Sequence, residues 1–187
     1  SVSKIFREAL AVSNVSNAVG SIQSELFHRN DIRVIRNLAD PSIFYYQEKT
    51  PIKKFRFIHV STLKYQKNVR GILDTMQQLW TTRSDFELVI LGGEQGVGED
   101  WPQGIEEAPW LVIKGMVEHD QVALHMREAD CLVLFSRDEN FPCVIVEALC
   151  CGLPVISSDA GGCGEAIDAS NGIIVPVSYT HLRAHET

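Results

Sequence analysis

The chain has 187 residues, 45% hydrophobic and 22% charged, a balance that suits one folded domain with a full core and excludes a disordered segment. The formal net charge is -7 and the lysines and arginines are scattered, which argues against a nucleic-acid surface. No apolar run reaches the ~18 residues needed to cross a bilayer, and no signal peptide is expected from the opening residues.

In chain order, residues 9–12 are expected to end a strand, and Ser13 to cap a helix whose apolar residues Val15, Val19, Ile22 and Leu26 share one face. A strand is expected over residues 31–35, and the polar, proline-bearing stretch 37–51 reads as a connection. A second domain then begins near residue 50. Its strands are expected at 55–60, 86–91, 110–113, 131–135, 154–156 and 172–175. Between the first two, Val69, Ile72, Leu73, Met76, Leu79 and Trp80 recur with helical period behind Asn68, a reasonable cap. Weaker helical patterns fill 119–129 and 143–151. Short apolar strands alternating with helices predict an α/β fold, a Rossmann-like parallel sheet with helices on both faces.

The most informative residues are Glu139 and Glu147, which bracket the start of the helix at 143–151. That segment is apolar throughout, so it is expected to be buried nearly all round, where an unpaired carboxylate is costly. Pro142 suits the first helical turn. A helix N-terminus offers free N–H groups and a positive dipole end to a phosphate, and flanking carboxylates suit sugar or ribose hydroxyls. In an open parallel sheet the loops leaving the carboxyl ends of the strands converge on one edge. Lys67 is placed there to meet a diphosphate, the first-turn amides of Cys143 and Val144 to add donors, and Gly161 and Gly162 to permit close backbone approach. Glu147 is positioned to accept a ribose diol.

Other features carry less. Five cysteines, Cys131, Cys143, Cys150, Cys151 and Cys163, are odd in number and lack CxxC spacing, so they read as small core residues in a reducing cytosol, with no zinc site. His59 reads as a packed core residue, and Trp80, Trp101 and Trp110 as packing residues. GGEQGVG, residues 92–98, reads as a flexible surface loop. Gly161 and Gly162 read equally well as turn glycines.

Glu139, seven residues, then Glu147, followed by CGLPVIS and by GGCGE at 161–165, resembles the signature of the family-4 retaining glycosyltransferases. HVSTLKYQKN at 59–68 is similar to that family's first strand and basic loop, and VIRNLADPSIF at 34–44 to its interdomain link. The resemblance implies the C-terminal half of a GT-B fold, with residues 1–48 a remnant of the N-terminal domain and link, and 49–176 the nucleotide-sugar-binding domain. It implies sugar transfer from a nucleotide diphosphate sugar to an acceptor hydroxyl with retention, and neither metal nor cofactor. Glu139 is then the catalytic residue, contacting the donor hexose near the reacting carbon. Lys67, Phe141, Cys143, Val144, Glu147, Gly161 and Gly162 are then the donor-binding set. The implied partners are the donor and a glycan or lipid-linked acceptor, in a cytoplasmic protein with room for peripheral contact at the inner membrane face through the N-terminal domain. Three positions depart from the pattern: Thr62 replaces an arginine, Pro142 a glycine and Leu38 a glycine. As given, the polypeptide is expected not to turn over.

The tail, residues 177–187, breaks from the preceding pattern, and one reverse translation of it resembles a sequencing-library adapter. It is therefore expected to be an artefact of the reading frame and no part of the fold. Two alternatives stay open at this point: a nucleotide-sugar epimerase of the same fold, and a nucleotide-binding module without chemistry.

Overall fold

The computed structural model describes residues 2–50, 53–93 and 101–176. The 92–98 loop beyond Gly93 and the tail expected to be adapter-derived lie outside the described residues.

The chain opens with a helix not expected from the sequence, α1 (Val2–Glu8), whose Phe6 stacks on Phe27 at 4.3 Å. Arg29 Nη1 donates to the carbonyls of Phe6 and Ala9, both at 2.7 Å, and so closes its C-terminal end from a distant part of the chain. Strand β1 (Val12–Asn14) pairs in parallel with β2 (Ile32–Val34), and α2 (Asn17–Phe27) connects them. Ser13 does not cap α2, because it lies inside the β1 ladder opposite Arg33. The cap is Ser16, extended and fully buried, whose Oγ accepts the Val19 N–H at 3.2 Å.

Six parallel strands make the main sheet: β3 (Phe55–Val60), β4 (Phe86–Leu91), β5 (Leu111–Gly115), β6 (Cys131–Leu134), β7 (Val155–Ser158) and β8 (Gly172–Val175). Their order, β5-β4-β3-β6-β7-β8, puts the first strand in the middle and reverses direction of growth between β3 and β6, which defines a topological switch point. The helices are α3 (Val69–Trp80), α4 (His119–Glu128) and α5 (Cys143–Cys150).

Strand alternation sorts the core into two layers. Ile58, Val89, Leu91, Leu132 and Leu134 face the layer completed by α4 and α5 through Val122, Met126, Ile145 and Ala148. Leu88, Ile90 and Val133 face the layer completed by α3 and by Trp101 and Trp110. Each fully buried side chain of this kind contributes about 1.5–3 kcal/mol, so burial on both faces explains why these strands read as apolar runs. Phe44, in the stretch expected to be a mere connection, is also buried in the first layer.

Two expectations about helices need correction. Asn68 precedes α3 but makes no side-chain cap hydrogen bond, since it sits in the left-handed region at φ 48°. α5 is not buried all round: only Ile145 and Ala148 are buried, and Cys143 and Cys150 are exposed. Of the five thiols, Cys131, Cys151 and Cys163 are core residues, and burial raises the Cys131 and Cys163 pKa values to about 11.

The β1–α2–β2 unit is tied to the main sheet through Glu165. Its carboxylate accepts the Ala18 N–H at 2.9 Å, Asn17 Nδ2 at 2.8 Å and Arg36 Nη2 at 3.1 Å. It therefore closes the N-terminal end of α2 from outside the helix. Burial works to raise the Glu165 pKa, but the donors outweigh it and hold it below the usual value.

Candidate functional site

The switch point is where the β3–β6 ladder ends. It registers only Phe57 with Cys131 and Ile58 with Leu132. Just beyond, the Val133 carbonyl is met by the fully buried His59 imidazole, whose Nδ1 lies 2.8 Å away. A carbonyl only accepts, so Nδ1 carries the proton and Nε2 accepts the Ser61 hydroxyl at 2.8 Å. Ser61 Oγ in turn accepts the Leu63 N–H at 3.0 Å, at a residue held at φ 56°. Burial, aided by the charge of Lys67 and opposed by the Val133 bond, pushes the His59 pKa down to about 4. His59 is a neutral packed residue, as its place in an apolar strand indicated.

Two loops rise on either side of this opening. The one after β3 ends in a single 3-10 turn, Tyr65–Lys67, closed by left-handed Asn68. The other, residues 135–142, joins β6 to α5 and is anchored at its base by Ser158 Oγ, which donates to the Ser136 carbonyl at 2.7 Å. Across the gap Lys67 Nζ lies 2.6 Å from Glu139 Oε1, and the buried Ser136 Oγ donates to the same oxygen at 2.7 Å. The Glu139 side chain is 8% exposed and that of Lys67 24%. The two residues that the sequence assigned to different parts of a ligand are paired directly. An ion pair so enclosed is held only by its partners, and removing one leaves the other charge stranded.

The neighbouring residues shape this cluster. Gly161 sits at φ 53°, and a Cβ there would fall 1.6 Å from the Glu139 carbonyl oxygen. The Gly162 N–H donates to the Asn140 carbonyl at 3.1 Å. The close approach these glycines permit is therefore to the chain's own Glu139–Asn140 backbone. Phe141 is buried, its carbonyl accepts Asn37 Nδ2 at 2.8 Å, and Arg36 lies 5.9 Å from its ring. Pro142 is the N-cap of α5, at φ -72° and ψ 121°, and does not occupy the first turn. The amides of Cys143 and Val144 fall in that turn, where N–H groups have no intrahelical acceptor. Thr62 and Lys64 are both exposed on the loop after β3.

Glu147 does not join the Lys67 pair. Its side chain, 14% exposed, lies 3.3 Å from Nε2 of the more open His119 at the start of α4, and that imidazole stands edge-on to Phe44 at 4.8 Å. His119, Ser136 and Arg137 are site neighbours not expected from the sequence. Ser136 and Arg137 carried a usable signal, since they lie in the same post-strand loop as Glu139. No group of three or more metal-ligating side chains occurs among the described residues, and no described helix is long and apolar enough to cross a membrane.

A family profile described as "Glycosyl transferases group 1" matches residues 45–184. The chain is 28% identical over 172 residues to glycogen synthase of Mycobacterium tuberculosis, covering 87% of this chain and 41% of that protein. It superposes on sucrose-phosphate synthase from Thermosynechococcus elongatus with a TM-score of 0.77 at 20% identity, over 94% of this chain and 47% of that one. It also superposes on Anabaena HepE, solved in complex with UDP-glucose, with a TM-score of 0.72 at 21% identity, over 95% and 53% respectively. These two superpositions speak for the fold alone. The chain thus spans about two fifths of the curated relative and about half of these structures.

Proposed function

The chain belongs to the glycosyl transferases group 1 family, and from that premise we propose that it is the donor-binding part of a retaining sugar transferase that uses a nucleotide diphosphate sugar. The observation that carries this reading is the enclosed Lys67–Glu139–Ser136 cluster at the β3–β6 switch point, the place where ligands bind in such sheets.

The chemistry follows from the pair. A diphosphate entering the crevice competes with Glu139 for the Lys67 ammonium, and its charge makes it the stronger partner. Once Lys67 turns to phosphate, Glu139 keeps the Ser136 hydroxyl and offers its remaining lone pairs to the hexose near the reacting carbon. Glu147 receives the ribose diol, with His119 holding it in place. As the glycosidic bond breaks, charge grows on the leaving phosphate oxygen. Lys67 and the first-turn amides of Cys143 and Val144 are the groups that stabilise it. Phe141 closes the loop over this region, and Gly161 and Gly162 let the loop sit low enough to do so. The acceptor is a glycan or lipid-linked hydroxyl, in assembly of a polysaccharide or glycolipid. The family match lends no support to the epimerase alternative.

The test is a ligand-observed NMR screen of the chain against UDP-, ADP- and GDP-sugars, with Glu147→Ala as the control. Selective binding that the substitution weakens by about tenfold or more is the expected result. A folded chain that binds none of them refutes the donor-site reading.

A further inference from the structure

We infer that Arg137 is a positioning residue that holds the Lys67-bearing turn in register with Glu139, a role that rests on the donor-site reading above. Arg137 reaches three of the four residues from Tyr65 to Asn68 and leaves out Lys67. Its backbone N–H donates to the Gln66 carbonyl at 2.7 Å. Its Nη2 donates to Asn68 Oδ1 at 2.8 Å, and its guanidinium carbon lies 4.5 Å from the centre of the Tyr65 ring. The clamp thus grips the turn on both sides of Lys67, while Glu139, two residues further along the same loop as Arg137, receives the ammonium.

Two local oddities are explained by this clamp. Asn68 adopts a left-handed conformation and gives up its expected capping bond to α3, and its side-chain oxygen is instead the acceptor for Arg137. Gly71, in the first turn of α3, supplies the room: a Cβ there would lie 2.9 Å from Asn68 Nδ2 and 3.1 Å from its Oδ1. A glycine inside a helix is otherwise unfavourable. Among the described residues, the buried Arg137 Nε has no hydrogen-bond partner, so the side chain keeps this posture with one of its donors unused there. A planar guanidinium stacks on a ring and donates in its own plane at once, which an ammonium cannot do.

The experiment compares wild type, Arg137→Ala, Arg137→Lys, Lys67→Ala and the Lys67→Ala/Arg137→Ala double variant in the full 187-residue chain. Without nucleotide, amide exchange is followed at Lys67 and Asn68, whose N–H groups donate to the Lys64 and Tyr65 carbonyls. Arg137→Ala is expected to speed exchange there about tenfold while leaving the β3 amides unchanged, and Arg137→Lys to restore little of the protection. With UDP and ADP as probes, Arg137→Ala is expected to weaken binding about tenfold, yet to add nothing once Lys67 is already alanine. Unchanged exchange, or an affinity loss of the same size in the Lys67→Ala background, overturns the inference. If Arg137→Ala fails to fold, Tyr65→Leu removes only the stacking and is expected to show the same pattern at reduced size, with no change overturning the inference. A wild type that binds neither probe refutes the donor reading instead, and the exchange data still decide whether Arg137 holds the turn.

Discussion

Replacing Glu165 by alanine should release α2 from the main sheet. The lost interactions are one charge-assisted bond to the Ala18 amide, one to Asn17 Nδ2 and a pairing with Arg36. A hydrogen bond to a charged group contributes about 1.5–3 kcal/mol, and a carboxylate at a helix N-terminus adds ~0.3–1 kcal/mol. The Arg36 side chain is half-exposed, so its pairing is worth about 0–1 kcal/mol after screening. Because the terms overlap, the expected loss is about 3 kcal/mol for Glu165→Ala, and about half that for Glu165→Gln, which keeps one acceptor but no charge. Urea unfolding gives the total, and amide exchange at Ala18 and Val19 shows whether the loss is local to α2. The Glu165 pKa is depressed in the folded state, so its contribution is present above the ordinary carboxyl value and is lost as pH falls through the folded value. The gap between wild type and Glu165→Ala should therefore narrow in acid. A change within about 0.5 kcal/mol, the range of an ordinary surface substitution, would mean that Glu165 does not hold α2 to the sheet.

Further outcomes follow from the site. His59 has a folded pKa of about 4 against an ordinary 6.5, so the folded state resists a proton that the unfolded chain accepts. Stability should be complete above pH 6.5 and fall by as much as about 3 kcal/mol on approach to pH 4; a chain carrying His59→Gln that shows the same slope between pH 6.5 and 4.5 would contradict this. Gly161→Ala must adopt a left-handed backbone and push the Glu139 carbonyl aside, at a cost of more than about 2 kcal/mol, measurable as a shift in urea midpoint. Glu147→Ala should leave the fold intact, since among the described residues its side chain is bonded only to the exposed His119, and unfolding of that variant would give the residue a structural role.

The sheet was largely legible because its inner strands, β4 and β6 above all, are covered on both faces. Apolar-rich runs, broken only by Arg56, His59 and Glu87, marked β3, β4 and β8 at the bounds observed, and the period of α3 was equally clear. The N-terminal unit was not, for reasons of long-range bonding. Ser13 and Ser16 are equivalent as local capping signals, and only the pairing of Ser13 with Arg33 in β2 leaves Ser16 as the cap. α1 has few packed residues and is closed by Arg29, more than twenty positions away from Phe6. In the site, βα alternation brought Lys67 and Glu139 to one edge, as strand topology requires. Their direct pairing depends on side-chain reach across the opening, which no spacing encodes. The same holds for His119 beside Glu147, where the contact joins two helices. The exposure of Cys143 and Cys150 is not legible in the sequence, because apolar composition does not distinguish the stripe that α5 presents to the core from the rest of the helix.

In the proposed mechanism Lys67 leaves Glu139 to take the donor's diphosphate. Calorimetric titration of the chain and its Lys67→Ala variant with UDP and with uridine separates that role from general damage to the site. The substitution is expected to weaken UDP by about tenfold or more and to leave uridine within about twofold. Equal losses for both ligands, or none for UDP, would contradict that mechanism.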